Sequence, residues 1–378
     1  MDLLLAGAAL ALDQFPPALA ADIAANWTWV SGSNTIESSG TYGTKGTVAV
    51  GNVPGARHIA VSWTDASGNF WLFGGFGRDS AGLVGHLNDL WKWDGTNWTW
   101  VSGSNIRNSS GTYGTKGTAA AANVPGARHR AVSWMDASGN FWLFGGGGYD
   151  STGAIGHMND LWKWDGTNWA WVSGSNTRNS YVTYGIKGTA AAANVPGARD
   201  RAVSWMDASG NFWLFGGQGY GSGQTGNLND LWKWDGTNWT WVSGSILVNS
   251  RGTYGIKGAA EAANVPGARW EAVSWTDASG NFWLFGGNGN DSDSFTGELN
   301  DLWKWDGTNW TWVSGSNTRN STGTYGTKGT AAATNVPGGR RRGVSWTDSS
   351  GNLWLFGGGG YSNYYSVGKL NDLWKFGY

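Results

Sequence analysis

Residues Gly68 to Val101 read GNFWLFGGFGRDSAGLVGHLNDLWKWDGTNWTWV, and most of the chain varies this text. An apolar strand ends in a diglycine, Trp71-Leu72-Phe73-Gly74-Gly75, and a polar loop follows. A second strand is Asn88-Asp89-Leu90-Trp91-Lys92-Trp93. A tight Asp94-Gly95-Thr96-Asn97 turn leads to a third, Trp98-Thr99-Trp100-Val101. Aromatic and β-branched residues suit a pleated, half-buried surface, and Gly, Asn and Asp punctuate it with turns. The diglycine returns at Gly145-Gly146, Gly216-Gly217, Gly286-Gly287 and Gly357-Gly358.

Aligning the copies on Asn-Val-Pro-Gly-(Ala/Gly)-Arg places Arg57, Arg128, Arg199, Arg269 and Arg340 at spacings of 71, 71, 70 and 71 residues. A further strand follows each Arg, Ala60-Val61-Ser62-Trp63 in the first copy. Each unit therefore has four strands: a after the Arg, b at FWLFGG, c at NDLWKW and d at WTWV. Thr64-Asp65-Ala66-Ser67-Gly68-Asn69 joins a to b as a hairpin. Four antiparallel strands at a fixed period predict an all-β fold, a five-bladed β-propeller. Blade boundaries fall near 57, 128, 199, 269 and 340. The last copy stops at Lys375-Phe376-Gly377-Tyr378 with no strand d, whereas Trp27-Thr28-Trp29-Val30 is a strand d with no a, b or c before it. The pattern predicts a ring closed by this N-terminal strand, which completes the last blade and leaves no open edge.

Composition narrows the function classes. The 378 residues include 64 Gly and 30 Trp, so a large aromatic core is expected rather than disorder. A net charge of −1 with 13% charged residues favours neither nucleic acid nor an anionic membrane as partner. With 0 Cys, disulfides, thiolate metal sites and cysteine nucleophiles are excluded. Residues 1–25 stand apart from the repeats at 26–378. The apolar run Leu3–Leu12 and Ala18-Leu19-Ala20 suit a cleaved export signal, although Met1-Asp2 lacks the basic start of one; a short helix or disordered tail is the alternative. Export points to a secreted, periplasmic or cell-surface location, with no membrane insertion of the mature domain.

The diglycine strand followed by spaced aromatics resembles the kelch repeat. The aromatic position is Trp93, Trp164, Trp234, Trp305 and Phe376, with Trp98 or Trp100 and their equivalents following. The chain also looks like the Trp- and Gly-rich kelch arrays of bacterial secreted proteins. Its units are longer than the usual ~50 residues, the excess lying between strand d and the Arg. The kelch resemblance implies galactose-oxidase-like enzymes among the relatives, which use a copper radical with a Tyr–Cys crosslink and His ligands. Without Cys that crosslink cannot form, and His58, His86, His129 and His157 are two positions repeated in two units. No cofactor or metal is expected. Asp291 and Asp293 could offer oxygens to Ca²⁺ but lack a known loop spacing, so a solvated loop is preferred.

The copies differ in three places. The pair after the Arg reads His58-Ile59, His129-Arg130, Asp200-Arg201, Trp270-Glu271 and Arg341-Arg342. The b–c loops carry Tyr149, Tyr220 and Tyr361, and the early d–a loops vary too. Alternating strand direction puts all three on one face of the ring. Exposed loops drift, but binding sites are also carried by loops on rigid scaffolds. The sequence reading is a non-catalytic, monomeric binding module recognising glycan through His58, His129, Arg130, Asp200, Arg201, Trp270, Glu271, Arg341, Arg342, Tyr149, Tyr220 and Tyr361. Tyr and Trp faces stack on sugars while charged groups meet hydroxyls. A protein-binding or structural surface component is the alternative. A hydrolase or lyase at the channel mouth ranks behind both, since no Ser/His/Asp triad or carboxylate pair stands out.

Overall fold

The computed structural model describes residues 28–377. The export-like segment 1–25 and Trp27 lie outside the described residues. All regular structure among them is antiparallel β. In the first unit β1 (Arg57–His58) and β2 (Val61–Thr64) both pair with β3 (Phe70–Arg78); β3 pairs with β4 (Val84–Trp93), and β4 with β5 (Trp98–Ser102). Strands a, b, c and d thus form a meander, and the later copies repeat the same register.

The diglycine is a bulge in strand b, where the register shifts between Phe73 and Gly75. Gly74 and Gly75 have φ of 64° and 97°. A Cβ on Gly74 would sit 2.9 Å from the Arg128 carbonyl oxygen of the next unit. Only glycine permits both the left-handed backbone and that approach.

The arginine that marks each repeat is buried in its own unit. Arg57 donates from Nη1 and Nη2 to Asp89 Oδ1 and Oδ2, both at 2.7 Å, and from Nη1 to the Gly74 carbonyl at 3.0 Å. Tyr42 Oη and Trp91 Nε1 each donate to Asp89 Oδ2 at 2.6 Å. The same four side-chain types meet at Arg128–Asp160, Arg199–Asp230, Arg269–Asp301 and Arg340–Asp372. The tyrosine comes from the Thr-Tyr-Gly-x-Lys stretch of the d–a connection. Burial and the neighbouring carboxylate push the Tyr113 and Tyr184 hydroxyls far above the usual range, so they remain donors.

That long connection explains the extra length of each repeat. It doubles back over the outer edge of its own unit: Ala119–Ala120 pairs with Trp169–Ala170 of strand d, and Lys116 lies 4.3 Å from the Trp171 ring while donating to the Gly174 carbonyl. The outermost strand is therefore covered, which removes an exposed edge.

Successive units pack face to face, as propeller blades do. Trp63 of strand a stacks on Phe141 of the next unit with ring centroids 3.5 Å apart, and Trp134–Phe212 and Trp205–Phe282 repeat this at 3.5 and 3.6 Å. Each junction is also tied by an asparagine: Asn88, Asn159, Asn229 and Asn300 donate to the carbonyls of Pro125, Pro196, Pro266 and Pro337, each at 3.1 Å. The expected closure by an N-terminal strand would involve Trp27, which lies outside the described residues. Residues 28–30 are in no strand, Trp29 is 67% exposed, and the last strand, Val367–Phe376, pairs only with Leu353–Tyr361 among the described residues.

Two outcomes are expected for stability. Asp160→Ala leaves Arg128 buried without its counter-charge and should cost about 3–5 kcal/mol in chemical denaturation. Trp134→Ala should cost a similar ~3–5 kcal/mol through the cavity it leaves. Acid should also unfold the array. Burial alone would raise the Asp372 carboxyl, but hydrogen bonds from Arg340, Trp374 and Tyr325 hold it down at about 2, against 3.8 unperturbed. The unfolded chain takes that proton first, so this stability is complete above about pH 4 and is lost as pH falls towards 2. Denaturation midpoints measured across that window should drop, and Arg340→Met should flatten this part of the profile.

Candidate functional site

The residue after each buried arginine sits in a two-residue strand paired with the far end of strand b: His58 with Phe76, His129 with Gly147, Asp200 with Gln218, Trp270 with Asn288, Arg341 with Gly359. The residue after that, Ile59, Arg130, Arg201, Glu271 or Arg342, is left-handed in every unit, with φ between 50° and 57°. A β-branched or long side chain adopts that conformation only under constraint. The constraint is partly visible. Arg130 N–H donates to the Ile59 carbonyl at 3.4 Å, and Glu271 and Arg342 donate to the Arg201 and Glu271 carbonyls at 3.2 Å. The left-handed residues thus link strand a of one unit to strand a of the next along the inner edge.

Between units this position meets the residue just before the leucine (Met158 in the second unit) that leads into strand c. His86 faces His129 with ring centroids 4.7 Å apart. His157 Nδ1 lies 3.8 Å from Asp200 Oδ1, and Arg341 Nη1 lies 2.9 Å from Glu298 Oε1. From unit two to unit five the groups form one continuous alternation of charge. Arg201 Nε lies 3.8 Å from Asp200 and 3.5 Å from Glu271, while Arg341 Nε lies 3.9 Å from Glu271. Arg342 Nε donates to Glu271, and Arg201 Nη1 donates to Gln218 Oε1 at 2.7 Å. Trp270 is half-buried among them, with the Arg201 and Arg341 guanidinium carbons 4.8 and 5.0 Å from its ring.

Several polar atoms of this chain are buried without a hydrogen bond: His157 Nδ1, Asp200 Oδ1, Arg201 Nε and Glu298 Oε2. Burial raises the Glu298 carboxyl, with Arg341 and Asn288 pulling the other way. Burial also lowers the His157 imidazole against the opposing pull of Asp200. His129 shares one nitrogen with the Gly147 carbonyl at 2.7 Å and the other with Arg130 Nη1 at 3.3 Å, the arrangement of a neutral Nδ1–H imidazole.

Of the residues singled out by sequence, His129, Arg130, Asp200, Arg201, Trp270, Glu271, Arg341 and Arg342 share this inner edge. Tyr149 and Tyr220 stand beside it, 5.7 Å from His86 and 6.1 Å from His157. His58 is set apart. It is exposed and its ring meets only Phe76 among the described aromatic contacts. Tyr361 is half-buried on the fifth unit. Trp270 does not offer a clear stacking face, since guanidinium groups lie against it. His86, His157, Gln218, Asn288 and Glu298 were missed. The signal for three of them was present: the residue before that leucine or methionine runs His86, His157, Asn227, Glu298, Lys369, as variable as the pair after the arginine.

The carboxylate of Asp291 is already used. Its Oδ1 accepts from the Asp293 and Phe295 amides at 2.9 Å and its Oδ2 from Arg319 N at 3.1 Å. Asp79 and Asp150 do the same in other units. Among the described residues no group of three or more His, Asp or Glu is placed to hold a metal ion.

The sheets and their face-to-face stacking are those of a propeller-type array with a polar inner edge. No family model matches the chain, and no curated protein does. Among solved structures it is similar to that described as the structure of YjhT, at 15% identity and TM-score 0.49, covering 86% of this chain and 82% of that one. It is also similar to a fungal alcohol oxidase of the AA5 family in complex with copper, at 14% identity and TM-score 0.38, covering 82% and 62%.

The histidines predict a pH response. Burial, then the nearby His129, lowers His86 to about 4 from 6.5. The unfolded chain therefore binds more protons across that window, so stability falls as pH drops from about 6.5 towards 4. Melting temperature should decline over this range, and His86→Asn should shallow the decline.

Proposed function

We propose that the chain is a five-bladed propeller module that binds glycan, without chemistry, on the inner edge and loops of its variable face. The observation that carries this reading is the interleaving of unsatisfied donors and acceptors from His157 to Glu298. A buried polar group without a partner costs free energy until a water or ligand supplies one. A hydroxyl both donates and accepts, so a run of alternating guanidinium and carboxylate groups suits a polyol better than a simple anion or cation. Tyr220, with the exposed Tyr181 5.3 Å from it, adds aromatic surface beside the chain.

A second reading, a protein-binding surface, is favoured by one observation. Ile36, Ile106 and Leu247 on the d–a loops are 92%, 55% and 59% exposed. Apolar side chains on a loop face suit a macromolecular partner.

A glycan array with matched calorimetry separates the two. Asp200→Asn and Glu298→Gln preserve shape and remove the acceptor charge. Each should weaken glycan binding by about tenfold or more with little change in melting temperature, as loss of a charge-assisted hydrogen bond implies. Leu247→Asp should leave glycan binding intact. Absence of any glycan ligand, with a partner whose capture depends on Leu247, would replace the first reading by the second.

A further inference from the structure

Charge and apolar surface are unevenly divided between the two ends of the units. The a–b and c–d turns are polar and acidic. Each carries an aspartate, Asp65 and Asp94 in the first unit, and among the described residues none of these turns holds a large exposed apolar side chain. The opposite face differs. Outside its polar inner edge, the b–c loop tips present Leu83, Ile155 and Phe295, and the d–a loops present Ile106 and Leu247; each is at least half exposed. The net charge of −1 hides this division.

The same tips are cationic. Arg107, Arg178 and Arg319 hold one position in three d–a loops, where their backbone amides donate to the Asp79, Asp150 and Asp291 carboxylates at 3.1, 3.0 and 3.1 Å. Those aspartates thus take up the loop backbone rather than the guanidiniums. Arg178 and Arg319 are exposed and lie across the neighbouring b–c loop. Arg178 Nη1 donates to the Ile155 carbonyl at 3.0 Å and Arg319 Nη1 to the Thr296 carbonyl at 2.7 Å, with the Arg319 guanidinium carbon 4.9 Å from the Phe295 ring. Arg251 is exposed on the d–a loop that follows the third unit. Among the described residues no carboxylate lies within ion-pair distance of these four arginines. The first four units therefore each set an apolar side chain beside a cation that lacks a counter-charge.

We propose that this rim docks on an anionic lipid surface, its apolar tips entering the headgroup layer and its arginines meeting lipid phosphates. A protein partner fits less well. Protein interfaces gather apolar residues at the centre inside a polar rim, whereas here the centre is polar and the rim apolar. At a bilayer boundary the observed order is the favourable one. Apolar side chains gain by reaching the acyl boundary, and guanidiniums held beside them reach the phosphates above it. Such docking requires no glycan, and it would turn the polar inner edge towards the headgroups.

Co-sedimentation of the full chain with vesicles tests this. At low ionic strength the chain should pellet with vesicles of three parts phosphatidylcholine to one part phosphatidylglycerol, and far less with phosphatidylcholine alone. Added salt should release it, because exposed charges are screened. Arg178→Gln combined with Arg319→Gln should weaken binding about twentyfold, from about fivefold for each arginine. Leu247→Ser combined with Phe295→Ser should weaken it about tenfold and leave the salt dependence in place. Thr96→Glu combined with Thr237→Glu makes the same change of net charge on the opposite face, and should bind like the wild type. Should a variant fail to fold, the wild type still decides by its need for anionic lipid and low salt. A chain that does not pellet with the anionic vesicles, or pellets equally with phosphatidylcholine alone, overturns the assignment. So does binding that survives both pairs of rim substitutions, or that falls equally with the turn substitutions. A chain that ignores vesicles but captures a protein through Leu247 also overturns it and returns the rim to the protein-binding reading.

Discussion

Everything in this molecule hangs on a buried ion pair made once per unit. An arginine and an aspartate taken out of water are costly unless their geometry is bidentate and their remaining lone pairs are used. Here they are used in full. Asp160 receives Nη1 and Nη2 of Arg128 at 2.6 and 2.7 Å, the Tyr113 hydroxyl at 2.6 Å and the Trp162 indole at 2.7 Å. Arg128 spends its other donors on the Gly126 and Gly145 carbonyls. One carboxylate therefore gathers the start of strand a, the end of strand b, the start of strand c and the long d–a connection. A hydrophobic core could supply as much stability, but not this fixed arrangement of four separate segments.

The ion pair also positions the variable face. The residue that follows the arginine cannot choose where it stands, because the guanidinium is anchored and the next backbone is forced left-handed. Arg130, Arg201, Glu271 and Arg342 accept a conformation that long side chains avoid. Their side chains are thereby placed on the inner edge whatever their chemistry. Such a position can be varied from unit to unit without disturbing the sheet, as the range from Ile59 to Glu271 illustrates.

The polar chain from His157 to Glu298 is the opposite of the ion-pair cluster in one respect. Asp89 and its counterparts are satisfied within the protein, while Asp200 Oδ1 and Arg201 Nε are not. The same residue types are fully paired where they hold the fold and loosely paired along the inner edge. That contrast separates a structural arginine from a candidate ligand-binding one more clearly than burial does, since Arg199 and Asp200 are both buried.

Much of the fold could be read from residues alone. The period fixes the unit, the diglycine marks a bulge that only glycine allows, and the Asp-Gly-Thr-Asn and Asp-Ala-Ser-Gly-Asn turns set the order a–b–c–d. Half the candidate site was legible for the same reason: His129, Asp200, Trp270 and Arg341 vary in a frame where neighbours do not. The other half was not. His157 and Glu298 lie 43 residues before Asp200 and Arg341 and in a different unit, and only the stacking of one unit on the next brings them to 3.8 and 2.9 Å. Ring closure shows the same limit. A lone strand d at one end and a missing one at the other are local facts of sequence. Whether they meet depends on the rotation from one unit to the next, which belongs to the packing between units and not to any one repeat.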